Sequence, residues 1–150
     1  MKKVSLVVSV YNEELALPMF FDRADEVLKD ITWDYELVFV NDGSVDKSLE
    51  LLKEYAQKSD KVRVVNFSRN YGHESAMIAG VDYAEGDAVV CLDADLQHPL
   101  EYIQPIIDAF ESGYNVVNMV RTKNQDAGFI KKITSAAFYR VLNWMSPVKF

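Results

Sequence analysis

Residues 88–98 read Ala88-Val89-Val90-Cys91-Leu92-Asp93-Ala94-Asp95-Leu96-Gln97-His98, an apolar run that enters two carboxylates one residue apart. The run has the length and β-branched content of a short buried strand. In an extended segment, side chains two residues apart share a face. Asp93 and Asp95 are therefore expected to converge at the strand's end on one hard cation. A cation held by one or two carboxylates suits a phosphate-bearing ligand. Taken alone, the same residues also read as a solvated loop after a buried strand, and the motif leaves both readings open.

Working outward, the chain alternates two periodicities. Val4–Val10 is a valine-rich strand, and Leu15–Leu28 is a helix with Leu17, Phe20, Phe21, Ala24, Val27 and Leu28 at helical spacing and Pro18 in its first turn. Glu36–Val40 is a second strand, followed by the turn Asn41-Asp42-Gly43-Ser44 and a helix to about Gln57, for which Asp46 is the expected N-cap. Val62–Asn66, the loop Ser68–Gly72 and a helix over Glu74–Ala84 come next, then the strand Asp87–Leu92. Beyond Pro99 a helix runs to about Glu111, with Pro105 marking an early turn or break and Gly113 a stop. Asn115–Val120 is predicted as a fifth strand and Phe129–Met145 as a last helix. Near-continuous apolar strands alternating with helices predict an α/β fold, a mostly parallel sheet covered on both faces.

The 150 residues suffice for one domain with a core. Sixteen basic against 23 acidic residues give a net charge of −7, which argues against a non-specific nucleic-acid binder. An anionic small ligand is still allowed, because a bound divalent cation inverts the local field. The single cysteine, Cys91, permits no disulfide within the chain and reads as a small core residue in a reducing compartment. Met1-Lys2-Lys3 before Val4–Val10 faintly resembles a signal peptide, but the apolar stretch is short and runs into Asn12-Glu13-Glu14 without a cleavage site. No segment is long and apolar enough to span a bilayer. The chain stops at Phe150 within an apolar stretch, so a fragment of a longer protein is expected.

In open parallel sheets, ligands bind at the carboxyl ends of the strands. Three polar clusters fall there: Tyr11-Asn12-Glu13-Glu14, Asn41–Ser44, and Asp93–Gln97. Their coincidence at one sheet edge favours a site over a chance Asp pair.

Ser9-Val10-Tyr11-Asn12-Glu13-Glu14, then Val40-Asn41-Asp42-Gly43-Ser44 with Asp46, then Leu92-Asp93-Ala94-Asp95-Leu96-Gln97 together resemble the family-2 glycosyltransferases of the GT-A fold. Ser68-Arg69-Asn70-Tyr71-Gly72-His73-Glu74 with Ala79-Gly80, and Lys131-Lys132-Ile133 with Phe138-Tyr139-Arg140, narrow the likeness. They resemble the polyprenyl-phosphate sugar transferases, the group of dolichol-phosphate mannosyltransferase and the bacterial undecaprenyl-phosphate glucosyltransferases. The resemblance covers nearly the whole chain.

The resemblance implies residues that bind a nucleotide-sugar, namely Val10, Tyr11, Glu13, Asn41, Asp93, Ala94, Asp95 and Arg121. It implies a metal set of Asp93, Asp95 and Gln97 for Mg²⁺ or Mn²⁺. Tyr11 would lie against the base, and Glu13 and Asn41 would reach the nucleoside. Relatives commonly carry Asp where Asn41 stands; asparagine both donates and accepts, which leaves the base contact open. His98 is expected beside the metal ligands or merely exposed, since a hard cation does not call for imidazole. Arg69, Asn70 and His73 flank the third loop, where a structural role is at least as well supported.

The implied reaction transfers a hexose from a UDP- or GDP-sugar to a polyprenyl phosphate with inversion, at the cytoplasmic face of a membrane. The acidic residue that the family places near the acceptor is expected beyond this stretch, so no catalytic base is named. Residues 1–150 would be the nucleotide-sugar-binding part of the domain. The basic, aromatic last helix, with Lys131, Lys132 and Arg140, fits either a membrane surface or packing on the sheet. A saccharide-elongating enzyme of the same fold and a nucleotide-binding module without turnover are the alternatives. A homo-oligomer is left open. A phosphohydrolase with an Asp-x-Asp nucleophile is disfavoured, because its pair should end the first strand.

Overall fold

The computed structural model describes residues 2–97 and 99–119. The elements below lie within the compact unit Met1–Asn115. They run β1 (Lys3–Val10), α1 (Leu17–Val27), β2 (Asp34–Asn41), α2 (Ser48–Ala56), β3 (Val62–Asn66), α3 (His73–Tyr83), β4 (Ala88–Asp93), a 3-10 turn (Leu100–Tyr102) and α4 (Ile103–Glu111). The predicted α/β class is observed: a four-stranded sheet of order β3-β2-β1-β4 with every pairing parallel.

Helices cover both sheet faces, and the strand sequences show why. Leu6, Val8 and Val10 of β1 and Leu37 and Phe39 of β2 belong to one buried cluster with Leu17 and Phe20 of α1, Leu52 and Tyr55 of α2, and Ile103 and Ile107 of α4. Phe39 is its hub, with Phe20, Phe21 and Tyr55 set edge-on at 5.8, 5.8 and 6.1 Å. Such pairs contribute about 0.5–1.5 kcal/mol each beyond their buried area. The alternate residues, Val7 and Val40, face α3. A Cβ on Gly80 would lie 2.2 Å from Val7 Cγ1, so α3 approaches the sheet only because that position is glycine. With both faces covered, β1 and β2 are buried almost end to end.

The amino edge of the sheet is held by a buried carboxylate. Glu36 is 2% exposed, and its Oε1 accepts the Ser5 hydroxyl (2.6 Å) and the Glu85 backbone N–H (2.7 Å). Its Oε2 faces Lys3 Nζ at 3.2 Å and Arg63 Nε at 3.5 Å. Ser5 Oγ in turn accepts the Gly86 N–H, so the turn between α3 and β4 is pinned to β1 and β2.

Three expectations are corrected. Asn115–Met119, read as the start of a fifth strand, joins no ladder among the described residues, and Val116 is 81% exposed. An apolar run makes a strand only where an edge is available to pair. Cys91 is exposed rather than buried, because β4 is the last strand of the described sheet and α3 packs over β1 and β2. Asp46 is not the N-cap of α2; Lys47 is, and Asp46 Oδ1 instead accepts the Ser48 N–H from one position earlier. Pro105 is the third residue of α4, where a missing N–H is harmless. The predicted helix Phe129–Met145 lies outside the described residues.

Candidate functional site

The parallel register brings the strand ends to one edge. Val10 pairs with Asn41, Asn41 with Asn66, and Ser9 with Asp93. The loop after β1 is fastened to the loop after β2. Asn12, left-handed at φ +56°, donates its N–H to Ser44 Oγ and accepts the Val45 N–H at Oδ1, each at 2.9 Å. The Glu13 N–H reaches Ser48 Oγ, the Glu14 N–H reaches Asp46, and Glu14 accepts the Lys47 N–H. Asparagine tolerates the left-handed conformation that lets the chain double back here. The consequence is a rigid platform that leaves Tyr11 46% exposed beside the strand ends.

The loop after β3 is fastened to the same platform. Asp42 is 2% exposed, and its carboxylate accepts the backbone N–H groups of Tyr71 (2.7 Å) and Gly72 (3.0 Å). Gly43, at φ +66°, lies so close to this loop that a Cβ would sit 2.3 Å from the carbonyl carbon of Arg69. Asn41 is buried, donates Nδ2 to Asn66 Oδ1 at 2.7 Å, and keeps a buried Oδ1 without a partner.

β4 ends at Asp93, and Ala94 and Asp95 form a turn in which Ala94 is buried. The strand alternation invoked for the Asp pair therefore stops at its first member. Any convergence of the two carboxylates is the work of the turn. Leu96 sits at φ +57°, a costly conformation for a branched side chain, and the Gln97 N–H bonds back to Asp95 Oδ1 at 3.0 Å. Glu13 lies close enough to sense the pair: burial first, then Asp95, Asp46 and Asp93, hold its carboxyl above the usual range. Asp93 is met from two sides. Ser9 Oγ donates to its Oδ1 at 3.3 Å, and His73 Nδ1 lies 3.6 Å from the same oxygen and 2.9 Å from Ser9 Oγ.

The donor set is hard oxygen on a concentrated negative charge, which fits Mg²⁺ or Mn²⁺. Among the described residues no three His, Cys, Asp or Glu side chains are grouped closely enough to hold a metal unaided.

The described edge thus gathers Val10, Tyr11, Glu13, Asn41, Asp93, Ala94, Asp95 and Gln97, while Arg121 and His98 lie outside the described residues. Asp42, Ser9 and His73 carry structural duties: the sequence predicts such a role for the loop residue His73, but neither its partner Ser9 nor the Asp42 bonds to Tyr71 and Gly72. Only the Ser9–Asp93 register, a consequence of β1 lying beside β4, reveals the part of Ser9.

A parallel sheet with helices on both faces and a polar, acidic carboxyl edge defines an α/β domain, and its structural neighbours are GT-A glycosyltransferases. The solved mannosyltransferase PcManGT from Pyrobaculum calidifontis, in complex with GDP-Man and Mn²⁺, superposes with a TM-score of 0.54 at 23% identity, over 67% of this chain and 30% of that one. The chain belongs to glycosyl transferase family 2, whose family model matches residues 5–148. It is 48% identical over 144 residues to the uncharacterized glycosyltransferase YkcC of Bacillus subtilis (strain 168), covering 96% of this chain and 45% of that protein. It is 43% identical over 131 residues to the undecaprenyl-phosphate 4-deoxy-4-formamido-L-arabinose transferase of Photorhabdus laumondii subsp. laumondii, covering 87% and 40%. The chain spans about half the length, or less, of these relatives. Among the described residues no helix is long and apolar enough to cross a membrane.

Proposed function

We propose that this chain is the donor-binding part of a glycosyltransferase that moves a hexose from a UDP- or GDP-sugar to a polyprenyl phosphate, with Mg²⁺ or Mn²⁺ and with inversion. The observation that carries the proposal is the carboxyl edge of the sheet, where an exposed aromatic, Tyr11, stands on the same platform as Glu13, with Asp93 and Asp95 close by. Family membership supports sugar transfer. A relative named for undecaprenyl phosphate supports the lipid acceptor, and the mannosyltransferase solved with GDP-Man and Mn²⁺ supports the metal and nucleotide-sugar.

Each residue has a task in this reading. Tyr11 stacks on the base, and the backbone of Val10 and Tyr11 frames it. Asn41, with Nδ2 engaged by Asn66, reaches the nucleoside through its partnerless Oδ1 once the base uncovers that buried atom. Glu13 reaches the nucleoside, Asp93 and Asp95 with Gln97 hold the cation, and Arg121 meets the diphosphate. When bound, the cation would neutralise charge growing on the departing nucleoside diphosphate. The acceptor needs little activation, since a phosphate monoester with a second pKa of about 6 is largely ionised at neutral pH. Orienting it in line with the anomeric carbon then does most of the work. The enzyme would act at the cytoplasmic face of a membrane.

The test is a donor screen on the intact protein with polyprenyl phosphate, with and without Mg²⁺ or Mn²⁺. Metal-dependent transfer to the lipid is expected. Transfer to an oligosaccharide instead would replace the lipid acceptor with a glycan, and no transfer with no nucleotide binding would overturn the proposal.

A further inference from the structure

We infer that Ser9 and His73 are positioning residues that hold the Asp93 carboxylate for the cation, through a relay running from His73 Nδ1–H to Ser9 Oγ–H to Asp93 Oδ1. The inference rests on the reading of Asp93 as part of the cation site.

Ser9 and Asp93 are register partners on adjacent parallel strands, so their side chains share a face. The Ser9 hydroxyl has two neighbours, Asp93 Oδ1 at 3.3 Å and His73 Nδ1 at 2.9 Å, and one proton to give. An ionised carboxylate only accepts. In the proposed relay Ser9 donates to Asp93, and the proton between Ser9 and the imidazole then sits on His73 Nδ1. The relay thus pairs one tautomer of the ring with one direction of the hydroxyl.

The imidazole is held in turn. His73 opens α3 directly after Gly72, whose φ of +95° is set while its N–H is bound by Asp42. Three strand ends are thereby linked: Asp42 after β2 fixes Gly72, His73 follows it, Ser9 near the end of β1 takes the imidazole N–H, and Asp93 ends β4. Ser9 and His73 hold the Asp93 carboxylate in one orientation before a cation arrives. Outer partners of metal-binding groups act by fixing orientation in this way. The His73 side chain is 53% exposed, so it contributes little to the core and its replacement should leave the fold intact.

The test titrates Mn²⁺ against the intact protein with UDP or GDP present, following bound metal by calorimetry or paramagnetic resonance. His73→Ala and Ser9→Ala should each weaken Mn²⁺ about ten- to a hundred-fold, the usual effect of losing an outer partner. The double variant should fall well short of the product of the two effects, as for groups acting in series. His73→Asn, whose amide N–H can replace Nδ1–H, should recover most of the loss, with the melting temperature unchanged throughout. Undiminished Mn²⁺ affinity in His73→Ala, or a loss that follows a lowered melting temperature and is not recovered by Asn, would overturn the relay. Asp95→Ala separates the two levels. If it abolishes Mn²⁺ binding while His73→Ala does not, only the relay fails; if it too has no effect, the cation site fails and the relay with it.

Discussion

The carboxylate of Asp42, buried at the end of the second strand, accepts the backbone N–H of Gly72 at 3.0 Å, and with it that of Tyr71 at 2.7 Å. This pair of bonds couples the loop after β2 to the start of α3, and so sets where His73 meets Asp93. Asp42→Ala would leave two N–H groups without this partner in a part-buried setting. A loss of about 3 kcal/mol in unfolding free energy is expected, judged from charged hydrogen bonds worth roughly 1.5–3 kcal/mol each. Urea denaturation measures it, and a midpoint equal to that of the parent would show that the bonds carry no net stability.

Gly43 is the second fastening of that loop. An alanine there must adopt φ +66° and place its Cβ against the Arg69 backbone, which cannot swing aside as a side chain would. Gly43→Ala should cost about 1–3 kcal/mol, from left-handed strain and overpacking together. It should also weaken nucleotide binding, because the platform shifts. Thermal unfolding and a nucleotide titration report the two effects separately.

Glu36 makes stability depend on acid. Burial alone would raise its pKa; the Ser5 hydroxyl, the Glu85 N–H and Lys3 outweigh burial and hold it below the ordinary glutamate value of 4.5. A depressed carboxyl stabilises the fold above its unfolded-state pKa, and that contribution fades as pH falls below about 4.5 and through the folded value. Glu36→Gln should be less stable than the parent at pH 7, and the gap should narrow toward pH 3. A gap independent of pH would mean that the carboxylate's charge is not what the network uses.

Tyr11 is half exposed and belongs to no buried cluster, so Tyr11→Ala should leave the melting temperature nearly unchanged. If the ring stacks on a base, nucleotide binding should weaken by about 1–3 kcal/mol. Tyr11→Phe should bind as the parent does. Equal affinity in the alanine variant, read by calorimetry, would remove Tyr11 from the site.

Asp95 is exposed, on a turn bearing the strained Leu96. Asp95→Ala should abolish metal-dependent nucleotide binding while the far-ultraviolet circular dichroism and the melting temperature stay close to those of the parent. The loss should exceed the ten- to a hundred-fold effect expected of an outer partner. Binding that survives unchanged, with and without Mn²⁺, would reduce the Asp93–Asp95 step to a loop.

Much of this molecule is written in local pattern. Valine-rich runs, helical spacing of Leu17, Phe20 and Ala24, and the polar residues after each strand determine an α/β sheet and the edge at which a ligand would bind, because burial of apolar periodicities needs only short-range sequence. Local pattern also misled. Cys91 looked buried, yet β4 is the outer described strand. Asp93 and Asp95 looked like neighbours on one strand face, yet the strand ends between them. What tertiary structure alone decided is who stands beside whom at that edge: strand order puts β1 against β4, hence Ser9 beside Asp93, and the close approach at Gly43 and Asp42 delivers His73 to both. The hydrogen bonds involved join residues 29 to 84 positions apart, and their existence depends on the choice of sheet neighbours, a global competition among packings that no local run of residues encodes.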